Sequence, residues 1–400
     1  MIKKILLLLF VLVSLKGQTQ PLPLSPSSEV SLITCSPGDE IYAIYGHSAI
    51  RVKDDVQRMD VVFNYGVFDF NAPHFIYRFC KGQTDYMLSV CDFPSFAEYY
   101  KEEGRSVYEQ VLNLTPEERQ RLFAALLENY KIENRIYRYN FFFNNCSTKV
   151  RDMVVNNVSG KVSFLPESLA PRSFRQLLKL YMGGCRWVEL GINMIVGSPA
   201  DEVASANEEM FLPEFMMSHF SFASINVAGI SKPLVSQTNV IYQAPARPPY
   251  YLSILNPFLV FLLVFISVLT LTIIELRGKK NFAWLDPTVY GLVGLAGLII
   301  LWITCCSEHP AVRPNLNLIW ALPLHFFFAI AWFFKKIRRA LNWYHLFTSI
   351  LLVLFILSSY FLPQSFDCVV YLFVLILLSR SLMHVFQFIK ERRIASVGNI

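Results

Sequence analysis

The sequence predicts a two-part molecule: an exported domain of the α+β class followed by an all-α membrane domain of five transmembrane helices. Three observations carry this. Of 400 residues, 54% are hydrophobic and 16% charged, with a mean hydropathy of +0.39; globular chains average about 45–50% apolar and about 25% charged. The apolar excess is concentrated in one short N-terminal run and five long C-terminal runs. Between them, residues 28–243 are of mixed polarity, and no apolar stretch there approaches the roughly 18 residues that signal a span. The same composition excludes disordered, collagen-like and coiled-coil classes.

At the N-terminus, Lys3 and Lys4 precede the apolar run Ile5–Leu15, and small and polar residues follow around Gly17. This is the layout of a secretory signal peptide, residues 1–17. An uncleaved anchor has the same layout, and either way the chain beyond Gln18 is exported. The first cysteine, Cys35, lies too far from the apolar run for a lipoprotein signal.

Within 28–243, His47–Val52 and Asp60–Phe68 read as strands, rich in β-branched and aromatic residues with Gly and Asp at their boundaries. Gln83–Phe93 reads as a third. Thr115-Pro116-Glu117-Glu118 supplies an N-cap, a proline at the first helical position and a glutamate at the third, predicting a helix from Pro116 to about Tyr130. Leu122, Ala125 and Leu126 give that helix an apolar face. Tyr137–Phe143 is aromatic and extended, and Asn144-Asn145-Cys146-Ser147-Thr148 opens a second helix through about Val155. The proline-rich stretch from Ala244 to Pro249 makes residues 244–251 a stiff linker.

The five apolar runs, at 252–275, 287–306, 316–334, 343–362 and 368–388, are each near the roughly 20 residues a helix needs to cross a bilayer. A tail, 389–400, follows. The segments Arg277–Trp284, Lys335–Arg339 and Lys390–Ile400 hold 10 Lys or Arg, whereas Ser307–Asn315 and Pro363–Asp367 hold only Arg313. The first group is therefore cytoplasmic, and the chain enters its first span from outside, as an exported domain requires. These basic residues more than account for the net charge of +6, so that charge records membrane orientation and gives no reason to expect nucleic acid.

The exported domain holds five cysteines, Cys35, Cys80, Cys91, Cys146 and Cys185. An odd number outside the cytoplasm leaves at least one unpaired or joined to another chain. Cys146 is the candidate, because a predicted helix start offers unpaired N–H groups and the positive end of the dipole, both of which favour thiolate. A buried or disulfide-bonded cysteine is the alternative. A thiol nucleophile needs a base, and the domain offers His47, His74 and His219. His47 lies on a predicted strand entered through Gly46; His74 is in a loop beside Pro73, and His219 lies near the linker. The ring needs a polar partner to fix its tautomer, for which Asn64 on the next strand is the candidate and Asp69 the runner-up.

These segments resemble a known family. Leu32–Glu40, Gly46–Arg51, Asn64–Phe70 and Asn144–Thr148, with Gly104-Arg105, Leu112–Thr115 and the Gly191-Ile192 to Phe211–Pro213 stretch, are similar in order and spacing to the Lnb N-terminal periplasmic domain family. The resemblance implies an α+β papain-like fold, circularly permuted so that histidine precedes cysteine. It also implies a lipoprotein N-acyltransferase of the intramolecular transacylase kind in the cytoplasmic (inner) membrane, its N-terminal domain periplasmic. Such an enzyme moves the sn-2 acyl chain of a diacylated lipoprotein to the α-amino group of its N-terminal cysteine. Carried over by position, Cys146 forms a thioester, His47 is base and then acid, and Asn64 orients it. Backbone N–H groups at the helix start, with Asn144 or Asn145, stabilise the oxyanion.

The membrane half fits a lipid-anchored substrate. The polar outer loop Ser307–Leu318 lies on the side of the exported domain and offers His309, Arg313 and Asn315 as lipid-side contacts, or as residues that orient that domain. An ordinary solvated loop is the alternative. The acyl donor, substrate lipoprotein or separate phospholipid, stays open. No cofactor is expected: no Cys and His spacing matches a zinc site and there is no phosphate-binding glycine loop. Two other readings are a membrane-tethered cysteine peptidase or amidase of the cell envelope and a non-catalytic membrane-anchored binding module.

Overall fold

The N-terminal domain is built on a seven-stranded antiparallel sheet whose middle is covered on both faces. The computed structural model describes residues 23–164, 171–246, 255–278 and 280–397. The signal segment 1–17 and all but the first three residues of the 244–251 linker lie outside them. The strands are β1 (Glu29–Cys35), β2 (His47–Asp54), β3 (Met59–Val67), β4 (Asp85–Asp92), β5 (Val107–Leu112), β6 (Ile136–Arg138), β7 (Lys161–Ser163), β8 (Ser224–Val227), β9 (Ile230–Pro233) and β10 (Val235–Tyr242). The large sheet runs β10-β5-β1-β2-β3-β4-β6, and β7-β8-β9 form a small second sheet. The helices are α1 (Phe75–Cys80), α2 (Phe93–Glu102), α3 (Pro116–Tyr130), α4 (Cys146–Val155), α5 (Phe174–Lys179), α6 (Arg186–Ile195), α7 (Ala206–Glu209) and α8 (Pro213–Phe222).

Side chains alternate across a strand, and β1 uses both of its faces. Val30 and Leu32 join Ile50, Val52 and Phe63 beneath Leu122, Phe123 and Leu126 of α3 and Val150 and Val154 of α4. Ile33 and Cys35 join Ala49 and Val62 against Phe93, Phe96 and Tyr100 of α2. With both faces buried, Ser31 and Thr34 included, polar and apolar residues do not alternate along β1, which hides it from a period-two reading of the sequence.

The predicted helix ends are present. Thr115 Oγ1 accepts from Glu118 N–H, and Glu118 Oε2 accepts from Thr115 N–H at 2.9 Å, with Pro116 in the first turn. Across the sheet, Arg51 forks onto Asp60 through two bonds of 2.7 Å and reaches Glu109 at 2.9 Å; Glu109 in turn accepts from Asn239 at 3.1 Å. One guanidinium therefore ties β2 to β3 and β5, and through Glu109 to β10.

Among the described residues of the C-terminal half, four helices are long and apolar enough to cross a bilayer: α9 (Pro257–Leu276), α10 (Leu285–Cys306), α12 (Arg338–Ser358) and α13 (Cys368–Val397). The predicted 316–334 span differs. It begins as two short 3-10 turns, Pro310–Val312 and Leu316–Ile319, and continues as an eight-residue helix, α11 (Leu324–Ala331), bent by 41° from them. If this bent pair is one span the total is five. Pro310, Pro314 and Pro323 explain the break, since each lacks an N–H and pushes its predecessor out of the helical region. α10 passes close by: a Cβ on Gly294 would strike the backbone of Phe326, and one on Gly297 that of Ala321.

Two sets of contacts fix the halves. Inside the bundle, fully buried Arg380 of α13 forks onto Asp286 of α10 at 2.8 Å and reaches Glu275 of α9 at 3.0 Å. Between the halves, the loop after α10 is bonded to the N-terminal domain backbone: Glu308 N–H to Lys81 O at 2.8 Å, Gly197 N–H to Ala311 O at 2.7 Å and Ser198 N–H to Pro314 O at 2.9 Å.

Candidate active site

The chain reaches β2 through Gly46, whose φ of +83° suits glycine and where a Cβ would lie 2.8 Å from the Cys35 carbonyl. His47 is thus the first residue of a strand held on both sides by β1 and β3. Its Nε2–H donates to Asn64 Oδ1 at 2.6 Å. That leaves Nδ1 as the nitrogen able to take a proton from a thiol. The flat face of the ring stacks on Tyr100 of α2, 6.1 Å between centroids with planes 13° apart.

Cys146 is the first residue of α4, and its helix start is built by Asn145. Asn145 Oδ1 accepts from Thr148 N–H at 2.9 Å, and Thr148 Oγ1 accepts from Asn145 N–H at 2.8 Å. The Asn145 amide donates to Phe141 O and Phe211 O at 2.9 and 2.8 Å. The Asn144 amide donates to Arg138 O at 2.6 Å. Asn145 thus gives both of its side-chain N–H groups to backbone carbonyls at the helix start and has none left for an oxyanion, which corrects the expectation for it, whereas Asn144 gives one of its two. The N–H groups of Cys146 and Ser147 precede the first helical bond, Lys149 N–H to Asn145 O at 3.0 Å, and point out of the helix end. Ser147 Oγ lies 3.0 Å from Ser48 Oγ, fastening the helix start to β2.

Burial pushes the Cys146 thiol up, but the net shift is downward, because the His47 charge and hydrogen bond, the Ser48 N–H and the Ser147 hydroxyl together outweigh it. Three other thiols of the domain go the other way: burial raises Cys35, Cys80 and Cys91. All eight cysteines, the five of this domain included, are free, and Cys146 is partly exposed.

The bulge that separates the Asn64↔Ser89 and Val67↔Met87 pairs of β3 and β4 contains Gly66, with φ +92°. A Cβ there would lie 3.3 Å from Cys146 Cβ and 3.7 Å from His47 Cε1. Gly66 thus keeps clear the space in which thiol and imidazole meet. Sequence reasoning did not single it out, although a glycine inside a strand pattern is itself a bulge signal. Tyr100 and the Ser48–Ser147 pair were missed as well, and they carry no local signal.

The other named residues lie elsewhere. Asp69 Oδ1 accepts from Asn71 N–H at 2.8 Å, closing a turn. His74 sits at the start of α1 with φ 56°, and His219 pairs with Glu209 at 3.1 Å. In the membrane-side loop, His309 Nε2–H donates to Phe79 O at 2.9 Å and the buried Asn315 amide donates to Met194 O and Ile195 O, both at 2.9 Å. These two are docking contacts to the N-terminal domain, in keeping with the orienting role that is one of the alternatives for this loop; Arg313 is exposed.

No curated protein and no solved structure matches the chain. Two family models do. The Lnb N-terminal periplasmic domain covers residues 23–179, and the Lnb transmembrane domain covers residues 251–392. The first contains His47, Asn64 and Cys146 and ends before β10, which completes the sheet. With its periplasmic domain and its membrane domain both matched, in this order, the protein belongs to the Lnb family.

Proposed function

We propose that the protein is a lipoprotein N-acyltransferase of the cytoplasmic membrane, in which a permuted papain-like domain transfers an acyl chain through Cys146. The observation that carries this reading is the Cys146–His47–Asn64 set: a thiol held toward its ionised form at a helix start, beside an imidazole whose far nitrogen is tied to an amide oxygen. Histidine on a strand that precedes the cysteine helix in the chain is the permuted order.

The chemistry balances within these residues. His47 Nδ1 takes the thiol proton, and the sulfur attacks the ester carbonyl of a diacylglyceryl group. The C–S bond forms, the C–O bond breaks, and His47 returns the proton to the departing alcohol. The N–H groups of Cys146 and Ser147 are placed to stabilise the oxyanion. The α-amine of the lipoprotein's N-terminal cysteine then attacks the thioester; a C–N bond forms, the C–S bond breaks, and the amine proton passes through His47 to the sulfur. No cofactor enters.

Mass spectrometry of lipoprotein N-termini from cells with and without the intact protein tests this. The proposal expects an amide-linked acyl chain and one lost ester chain only when the protein is present. Termini that keep a free amine and both esters overturn it, and released cell-wall peptide fragments point to the amidase.

A further inference from the structure

α1 and the turn before it carry a group of exposed apolar side chains. Ile76 is 69% exposed, Tyr77 and Phe70 are each 53%, and nearby Ile41 is 63%. A patch of this kind marks a contact surface, and its surroundings say with what. The Tyr77 ring lies 5.6 Å from that of Trp302 on α10. Trp302 precedes the end of that helix by four residues, and so lies about 6 Å back from it at a rise of about 1.5 Å per residue. α1 therefore reaches alongside the last turn of a membrane-crossing helix. Trp and Tyr favour this level of a bilayer. The next turn of chain is pinned there by Glu308 N–H to Lys81 O at 2.8 Å and His309 to Phe79 O at 2.9 Å. The Lys81 ammonium lies over the Tyr77 ring at 5.6 Å.

Behind the patch the rings continue inward. Phe79 stacks with Phe75 at 6.2 Å, Phe75 with Phe68 at 5.5 Å, Phe68 with Tyr86 at 4.7 Å and Tyr86 with Tyr139 at 4.0 Å. Tyr86 pairs across β4 and β6 with Tyr137, and a Cβ on Gly66 would lie 4.0 Å from the Tyr137 hydroxyl and 3.3 Å from Cys146 Cβ. One apolar wall thus runs from the level of the last turn of α10 to the nucleophile.

We propose that α1 is immersed in the outer leaflet and that the ring wall is the track along which a lipid acyl chain leaves the bilayer to reach Cys146. The immersion stands on its own; the track rests on the reading of Cys146 as acyl acceptor. The test uses the full chain in phosphatidylethanolamine and phosphatidylglycerol vesicles containing a phospholipid with a diazirine in its acyl chain, with cross-linked residues mapped by mass spectrometry. Cross-links at residues 75–79 and 68–70, besides those on the spans, are expected; cross-links confined to the spans overturn the immersion. Ile76→Asp, on an exposed position, should lower acyl transfer from bilayer lipoprotein at least about tenfold, the scale of one lost buried aliphatic side chain. Cys146 labelling by iodoacetamide should stay at the wild-type rate in that variant, and Ile76→Leu should restore transfer. Unchanged transfer in Ile76→Asp overturns the track. Cross-links on α1 without acyl transfer by the wild type leave the immersion standing and remove the acyl-acceptor reading instead.

Discussion

The hydrogen bond from His47 Nε2–H to Asn64 Oδ1, 2.6 Å long, determines which nitrogen of the imidazole is free for chemistry. Asn64→Ala removes the acceptor and frees the ring to rotate and to change tautomer. Acyl transfer should fall by about 10-fold to 100-fold while the melting temperature changes little, and Asn64→Asp, which keeps an oxygen in place, should retain more activity than the alanine variant. Equal losses in both variants would assign Asn64 a packing role only.

The downward shift of Cys146 has a pH signature. A thiol with a lowered pKa is ionised below the ordinary value of 9.0, so iodoacetamide labelling of Cys146 should have its midpoint on the acid side of that value. His47→Ala removes the two largest opposing interactions and leaves the burial. The midpoint should then move to the alkaline side of wild type, and labelling at neutral pH should fall. A midpoint that does not move would separate His47 from the thiol.

Gly66→Ala adds a single methyl group beside the site. At φ +92° it is strained, at a cost of about 1–3 kcal/mol, and its Cβ meets Cys146 and His47. Both thermal stability and labelling of Cys146 should fall. A variant with the wild-type labelling profile would mean that the bulge relaxes without disturbing the pair.

Arg51→Ala leaves the buried Glu109 without its cation and Asp60 without its fork. Removing one partner of a buried ion pair costs about 3–5 kcal/mol, and melting curves of the full chain in detergent should show a correspondingly lower first transition. A loss below about 1 kcal/mol would place this pair with ordinary surface bridges.

Acid should loosen α3 through Glu118. Burial raises its pKa, but the Thr115 and Ser159 N–H groups and Lys232 lower it further, for a net downward shift. A carboxylate lowered on folding adds stability that is full above its unfolded value, near 4.5, and is lost as pH falls through the folded one. Stability should therefore decline below about pH 4.5, less steeply in Glu118→Gln; superimposable acid limbs would remove Glu118 from the account.

Local signals in the sequence placed His47 and Asn64 on strands and Cys146 at a helix start, where the fold has them, and said little of what supports them. Thr115 to Glu118 and Asn144 to Thr148 are short cap patterns, and both helices start where those patterns place them. His47 and Asn64 sit on strands legible from β-branched and aromatic residues. What escaped depends on contacts distant in sequence. β1, β5 and β10 are neighbours only in the fold, and Asn145 looks available for an oxyanion until Phe211, 66 residues later, takes its amide. The third span looked continuous because hydropathy counts proline's neighbours without counting the hydrogen bonds proline removes.

The bonds from loop residues 308–315 to Lys81, Met194, Ile195, Gly197 and Ser198 turn the distance between nucleophile and bilayer into a fixed length instead of the average swing of a tethered domain. Under the proposed acyl transfer, a site at fixed height selects by depth: it would meet whatever bond lies at that level and ignore the rest of the substrate chain, so proteins with unrelated folded parts would present it with the same target.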